Sequence, residues 1–197
     1  MTLQIENLAK RFGAHTLFEG LSLTVEAPAV LWAPSGWGKT TLLRILMGLE
    51  KPDAGAVTGA GRVAAVFQED RLCPQLSAVE NVLLVLPDGK ARRGAVEADF
   101  ARLGMTGEAL ALPAARLSGG QKRRAALLRA VWAKADTRLF DEPFTGLDPV
   151  SMGQAAALLK ERCAGKPALL ATHDRAAIEA LGWPVIRLDG IRSALPK

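Results

Sequence analysis

Residues 31–48 read LWAPSGWGKTTLLRILMG. A buried-type apolar run, Ala29-Val30-Leu31-Trp32, leads into a glycine turn, and helical spacing from Thr40 to Met47 leads out of it, with Gly48 as a stop. A strand, a glycine turn and a helix in that order make an anion site. The backbone N–H groups of the turn and the helix N-terminus all point at one place. Gly38, Lys39 and Thr40 fill the last three positions of the pattern G-x-x-x-x-G-K-[ST]. Lys39 would neutralise the β/γ-phosphates of a nucleotide, and the Thr40 hydroxyl would complete a Mg²⁺ shell. Ala33 stands where the pattern has its first glycine. It harms the loop only if its φ must be positive, where a Cβ costs roughly 1 kcal/mol or more. A negative φ and a working loop are expected. Trp37 is bulky, but its amide can still serve. Its side chain should therefore lie outside the phosphate cradle, largely exposed.

On either side of this unit, strands and helices alternate. Leu3, Ile5 and Leu8, then Leu21, Leu23 and Val25, largely alternate with polar neighbours as half-buried strands do. Arg62 to Phe67, Leu139-Phe140, Ala168 to Ala171 and Pro184 to Leu188 are further short strands, with helical patterns flanking them. Such alternation predicts an open, largely parallel α/β sheet. Residues 73–129 change character. Helical patterns at Ala78 to Leu86 and Val96 to Leu103 are broken by PDG at 87–89, and a basic amphipathic helix runs from Gly120 to Ala133. This stretch reads as a helical subdomain, at about 73–129, inserted into a single nucleotide-binding domain that covers 1–197.

A chain of 197 residues buries roughly 70% of its unfolded surface and needs no covalent staples. The net charge is +5, but the positive residues are scattered. KARR at 90–93 and KRR at 122–124 read as solvated helix faces, so no nucleic acid is expected as a partner. Cys73 and Cys163 form no C-x-x-C pair, which argues against a disulfide framework or a thiolate metal site. The start, MTLQIENLAKRFG, has no signal-peptide core. No apolar run approaches the ~20 residues of a membrane span. A cytoplasmic protein is expected.

Leu139-Phe140-Asp141-Glu142 ends an apolar run in two carboxylates. That places one acid at a strand end to hold Mg²⁺ and a second beside it to activate water. Leu117-Ser118-Gly119-Gly120-Gln121 opens a helix and makes a second anion-binding surface. One triphosphate does not need two such surfaces from one chain, which hints at two subunits. LSGGQ followed by KRRAALLRA, then FDEPFTGLDP, then ATHD, resembles the ATPase subunit of ABC (ATP-binding cassette) transporters. The motifs follow the family's order, and the likeness covers nearly the whole chain.

The resemblance implies an α/β fold: a P-loop NTPase (RecA-like) core with an N-terminal antiparallel β part and a helical insertion. It also implies roles. Phe12 would stack on adenine, and Ser35, Gly36, Trp37, Gly38, Lys39, Thr40 and Thr41 would hold the phosphates of ATP. Gln68, after the strand RVAAVF, matches the Q-loop glutamine that reaches Mg²⁺ and the attacking water. Asp141 matches the metal-associated acid, so that Thr40, Gln68 and Asp141 form the Mg²⁺ set. Glu142 matches the general base and His173 the switch histidine, and these act with Gln68 and Lys39 in catalysis. Thr145-Gly146-Leu147-Asp148 matches the D-loop, which crosses the dimer interface and brings Asp148 to the nucleotide. Ser118, Gly119, Gly120 and Gln121 would act on ATP held by a partner subunit. His15 is read as an exposed turn residue.

The implied partners are integral-membrane permease subunits, together with a second cassette, identical or similar, in an ATP-dependent head-to-tail dimer. The implied place is the inner face of the cell membrane. QEDRLCPQLSAVENV resembles the nitrate, sulfonate and taurine importer group. The alternatives are a non-transport cassette and a nucleotide-binding regulatory module with little turnover. The first usually carries a long coiled coil or a second cassette, and intact Lys39, Glu142 and His173 argue against the second. Thr137 and Arg138 depart from the wholly apolar strand that the family has here. A buried Arg138 is costly unless paired, so its head is expected to snorkel to an edge or to meet an acid.

Overall fold

The computed structural model describes residues 2–190; residues 191–197, which the expected domain includes, lie outside the described residues. In chain order the first strands are β1 (Leu3–Phe12), β2 (His15–Val25), β3 (Pro28–Trp32) and β4 (Ala54–Thr58), with α1 (Lys39–Leu46) between the last two. β1, β2 and β4 make an antiparallel sheet in the order β2-β1-β4. β3 belongs instead to a second sheet, with β5 (Val63–Val66), β6 (Thr137–Asp141), β7 (Ala168–Thr172) and β8 (Val185–Arg187). Its order is β5-β6-β7-β3-β8, and every pairing in it is parallel.

Between β5 and β6 lie α2 (Ala78–Leu83), α3 (Gly89–Arg102), two short 3₁₀ turns and α4 (Gly119–Trp132). None of the described residues of 73–129 adds a strand to the parallel sheet. Their one bridge, Ser77 with Pro113, joins the insertion to itself. α5 (Pro149–Cys163) and α6 (Arg175–Leu181) complete the core.

The parallel strands read as near-continuous apolar runs because both faces are covered. Alternation then sends neighbouring residues to opposite sides. Val30, Phe140 and Leu170 join the cluster beneath α4, α5 and α6. Leu31, Leu139 and Leu169 join the cluster formed with α1 and the antiparallel sheet.

A buried acid fastens the insertion to the core. Asp99 of α3 is 3% exposed. It accepts hydrogen bonds from Arg102 at 3.1 Å, from Trp132 Nε1 of α4 at 3.0 Å, and from Arg162 of α5. Three donors, two of them cationic, offset the cost of burying the carboxylate.

Arg138 neither snorkels to an edge nor meets an acid, contrary to expectation. It is 5% exposed, on the same face of β6 as Phe140. Its Nη2 donates to the Val131 carbonyl at 3.1 Å and to that of Ala133 at 3.4 Å. The cation thus meets the negative end of α4, where carbonyls have no partner within the helix. Nε and Nη1 have no hydrogen-bond partner among the described residues. Removing the whole head and stem should therefore cost more than replacing them. Arg138→Ala leaves a cavity and orphaned carbonyls and should lose about 2–4 kcal/mol. Arg138→Met orphans the same carbonyls but fills the space and removes an imperfectly paired charge, and it should lose at least about 1 kcal/mol less than the alanine variant. Urea unfolding of the two variants measures both, and equal losses would contradict this account.

Candidate functional site

Parallel strands carry their C-terminal ends to one edge of a sheet, and ligands bind in the crevice outside that edge. Here four adjacent strands do so. β3 ends just before the glycine turn, β7 just before His173, β6 at Asp141 with Glu142 next, and β5 two residues before Gln68. The register keeps these ends level: Trp32 pairs with Thr172, and Asp141 with Ala171. Segments far apart in sequence therefore line one cavity of about 390 Å³, bounded by Leu17, residues 35, 36 and 38–41 of the loop, Gln68, Asp141, Glu142, Thr145 and His173.

The loop has the shape its glycines require. Gly36 and Gly38 take φ of 80° and 82°, in the left-handed region open to glycine. A Cβ on Gly38 would also lie 3.3 Å from Leu17 and from Phe18. Ala33 is not among the described residues of positive φ, which apart from glycines are Asn7, Arg71 and Glu142. Its methyl is fully buried in the core, so alanine is a comfortable residue there. Ala33→Gly should change ATP affinity less than about threefold, since no strain is released; a nucleotide titration giving a tenfold gain would contradict this. Trp37 does lie outside the cavity, but it is half-buried against the core rather than largely exposed. An indole next to an apolar cluster gains more from partial burial than from solvent.

Lys39 opens α1, and its ammonium donates to the carbonyls of Ala33 at 2.7 Å and Pro34 at 3.1 Å. Burial lowers its pKa from the ordinary lysine value, while Glu142 and Asp141 oppose that shift. Burial likewise raises the pKa of Asp141 against the Thr40 hydroxyl that hydrogen-bonds it, and the neighbouring Glu142 pushes the same way as burial. Asp141 Oδ1 is buried with no hydrogen-bond partner among the described residues. An orphaned carboxylate oxygen beside a threonine hydroxyl, in the cavity that Gln68 also lines, is a hard oxygen donor set. It fits Mg²⁺.

Glu142 is the most constrained residue of the site. Its φ of 46° is unusual for a non-glycine residue, and such strain persists where surrounding structure holds it. Its N–H donates to the Ala171 carbonyl at 2.9 Å, and Thr172 Oγ1 donates to its Oε2 at 2.8 Å. His173 Nδ1 lies 2.7 Å from Oε1. Sequence reading missed Thr172 and Leu17. Thr172 was read only as part of ATHD, and its contact with Glu142 depends on β6 and β7 being neighbours.

The remaining expected residues lie outside this cavity. Phe12 is 50% exposed at the end of β1, with the Lys10 ammonium 4.9 Å from its ring. Ser118 caps α4: its Oγ accepts from the Gln121 N–H at 3.2 Å, and Gln121 Oε1 accepts from the Ser118 N–H at 2.9 Å. Gly119 and Gly120 begin the helix. None of these four lines the cavity that holds Lys39. Asp148 caps α5, accepting from the Val150 and Ser151 amides at 3.0 Å and from Ser151 Oγ at 2.6 Å. His15 is exposed, as read, but as the first residue of β2.

A family profile described as "ABC transporter" matches residues 18–145. The chain is 41% identical to the aliphatic sulfonates import ATP-binding protein SsuB 1 of Nocardia farcinica, over 99% of its own length and 81% of that protein's. It is 35% identical to the thiamine import ATP-binding protein ThiQ of a Jannaschia species, over 95% and 89% of the two chains. Among solved structures it resembles the dimeric post-hydrolysis state of the ATP-binding cassette MJ0796 bound to ADP and Pi. There the TM-score is 0.79 and the identity 26%, over 94% of each chain.

Proposed function

This chain belongs to the ABC transporter family, and from that premise we propose how its residues perform the family's task, hydrolysing ATP to drive transport through a separate permease. The observation that carries the reading is the meeting of Lys39, Gln68, Asp141, Glu142 and His173 in one cavity at the C-terminal edge of the parallel sheet. The amides of Gly36 to Thr41 and the Lys39 ammonium bind the β- and γ-phosphates. Thr40, Asp141 and Gln68 hold Mg²⁺, which neutralises charge on the phosphate oxygens. Glu142 accepts the proton of the attacking water, held in place for it by Thr172 and His173. Phe12 offers its exposed ring to adenine.

Ser118 to Gln121 do not line the cavity that holds their own Lys39. They complete the site of a second cassette in a head-to-tail dimer, identical or similar to the first, and Asp148 lies on the loop that crosses between the two. No described helix is long and apolar enough to cross a membrane. The relatives named above are import ATP-binding proteins, and in the same way separate permease subunits would supply the membrane-spanning part of the transporter. Docked to these, the cassette sits on the inner face of the cell membrane. The direction proposed is import, because the relatives named above are import proteins. Their cargoes differ, sulfonates in one and thiamine in the other, so the permease sets the cargo and a sulfonate is the first to test. Phosphate release from Mg-ATP by the purified chain tests the reading. A rate no higher than that of a Glu142→Gln control would overturn it.

A further inference from the structure

α4 does more than present Ser118 at its start. Its Arg123 is buried, 7% exposed, and its guanidinium reaches back across the insertion to the segment after β5. Nη1 donates to the Phe67 carbonyl at 2.7 Å, and Nη2 donates to the Gln68 carbonyl. Nε lies 3.3 Å from Asp70 Oδ1, an ion contact rather than an aligned hydrogen bond. Farther along the same helix, Arg129 donates to the carbonyls of Arg71 at 2.7 Å and Asp70 at 3.1 Å.

Residues 67–71 form neither helix nor strand. A segment without a ladder must satisfy its backbone groups elsewhere, and whatever satisfies them sets its position. Here arginines of α4 do so. A guanidinium is suited to the task, since it offers several donors in a rigid plane and hydrogen bonds from a charged donor are strong. The segment is also curled on itself. Arg71 has a φ of 47°, and its guanidinium stacks 3.9 Å from the Phe67 ring centre.

We propose that Arg123 is a positioning residue for hydrolysis: by gripping the carbonyls of Phe67 and Gln68 it aims the Gln68 side chain into the nucleotide cavity. This rests on the ATPase reading above. It has a further consequence for the dimer. Gln68 serves the chain's own nucleotide, while the first turn of α4 serves the partner's. Arg123 therefore links the two sites through one side chain, so that displacement of the helix start moves Gln68 as well.

The test uses Arg123→Lys and Arg123→Ala in the full chain, each alone and combined with Gln68→Ala. Lysine keeps the charge and the stem but offers one nitrogen in place of the rigid fork, so it does not reproduce the separate bonds that Nη1 and Nη2 make to the Phe67 and Gln68 carbonyls. Arg123→Ala should lower kcat about tenfold while KM for ATP changes less than about threefold, and Arg123→Lys should recover only part of kcat. Both should raise the Mg²⁺ concentration needed for half-maximal rate. Beside Gln68→Ala, either substitution should cost less than about twofold more, because the pair acts as one unit. A change in fold stability alone would lower the rate equally in both backgrounds, and that result overturns the proposal. So does a wild-type kcat in Arg123→Lys. Hydrogen exchange at the amides of 67–71, read without nucleotide, should quicken in both variants. Unchanged exchange would also overturn the proposal, even if the wild-type chain released no phosphate and the ATPase reading itself had failed.

Discussion

Glu142→Gln should slow phosphate release by about 10³-fold, the loss expected when a positioned general base is removed. That corresponds to about 4 kcal/mol of transition-state stabilisation. Glutamine keeps the size of the side chain, and its amide can still meet Thr172 Oγ1 and His173, which now hold the carboxylate at 2.8 and 2.7 Å. Mg-ATP binding should survive, because Lys39, Thr40 and Asp141 are untouched. With ATP bound but not consumed, the cassette should accumulate as a dimer, visible by size-exclusion chromatography with Mg-ATP and absent without it. A variant that hydrolyses within tenfold of the parent would show that Glu142 is not the base.

Ser118→Arg should abolish both hydrolysis and that dimer. The γ-phosphate is to be stabilised from two sides, and loss of one set of preorganised donors costs about 10²–10³-fold in rate. A bulky cation at the mouth of the partner's site also prevents closure. The substitution removes the cap of α4, at about 1 kcal/mol, and sets a positive charge at the positive end of the helix, at up to about 1 kcal/mol more. A domain with the usual 5–15 kcal/mol of stability remains folded after such a loss. ATP binding to the monomer should be nearly unchanged, since Ser118 lies outside its own chain's cavity. Glu142→Gln combined with Ser118→Arg decides the matter. If the pair still dimerises with ATP, the composite site is wrong.

Gln68 and His173 could be named only through the resemblance to the cassette ATPases. Lys39, Asp141 and Glu142 were legible in the residues themselves, because their motifs are short and each sits at a strand end. β6 and β7 were legible for the same reason, as apolar runs ending in polar residues. β4 escaped notice because AGAVT has little of the β-branched and aromatic character that marks strands. α3 was placed too late, because PDG at 87–89 read as a break, whereas the helix starts at Gly89 itself. Trp37 and Arg138 were misjudged in a different way. Trp37 packs on a core cluster built by other elements, and Arg138 turns back onto the end of α4, five and seven residues earlier, and no local pattern announces either contact. Arg123 is of the same kind: in sequence it is one of three adjacent cations, and only the packing of α4 against residues 67–71 sets it apart from Lys122.

The Asp99 fastening gives α4 the mechanics of a lever. Trp132, at its last turn, is pinned through Asp99 to Arg162 of the core. Ser118 caps the opposite end, 14 residues away, or about 20 Å at the rise of a helix. The ties from Arg123 and Arg129 run to an irregular segment rather than to a sheet, so they can travel with the arm. With the pivot at one end, a tilt of roughly 10°, modest among domain motions, sweeps the far end through about 3–4 Å. A hydrogen bond is made or lost over a shorter distance. In the proposed dimer this geometry would gear a slight rocking of the insertion into an all-or-none contact at its tip, with one buried carboxylate setting the gearing.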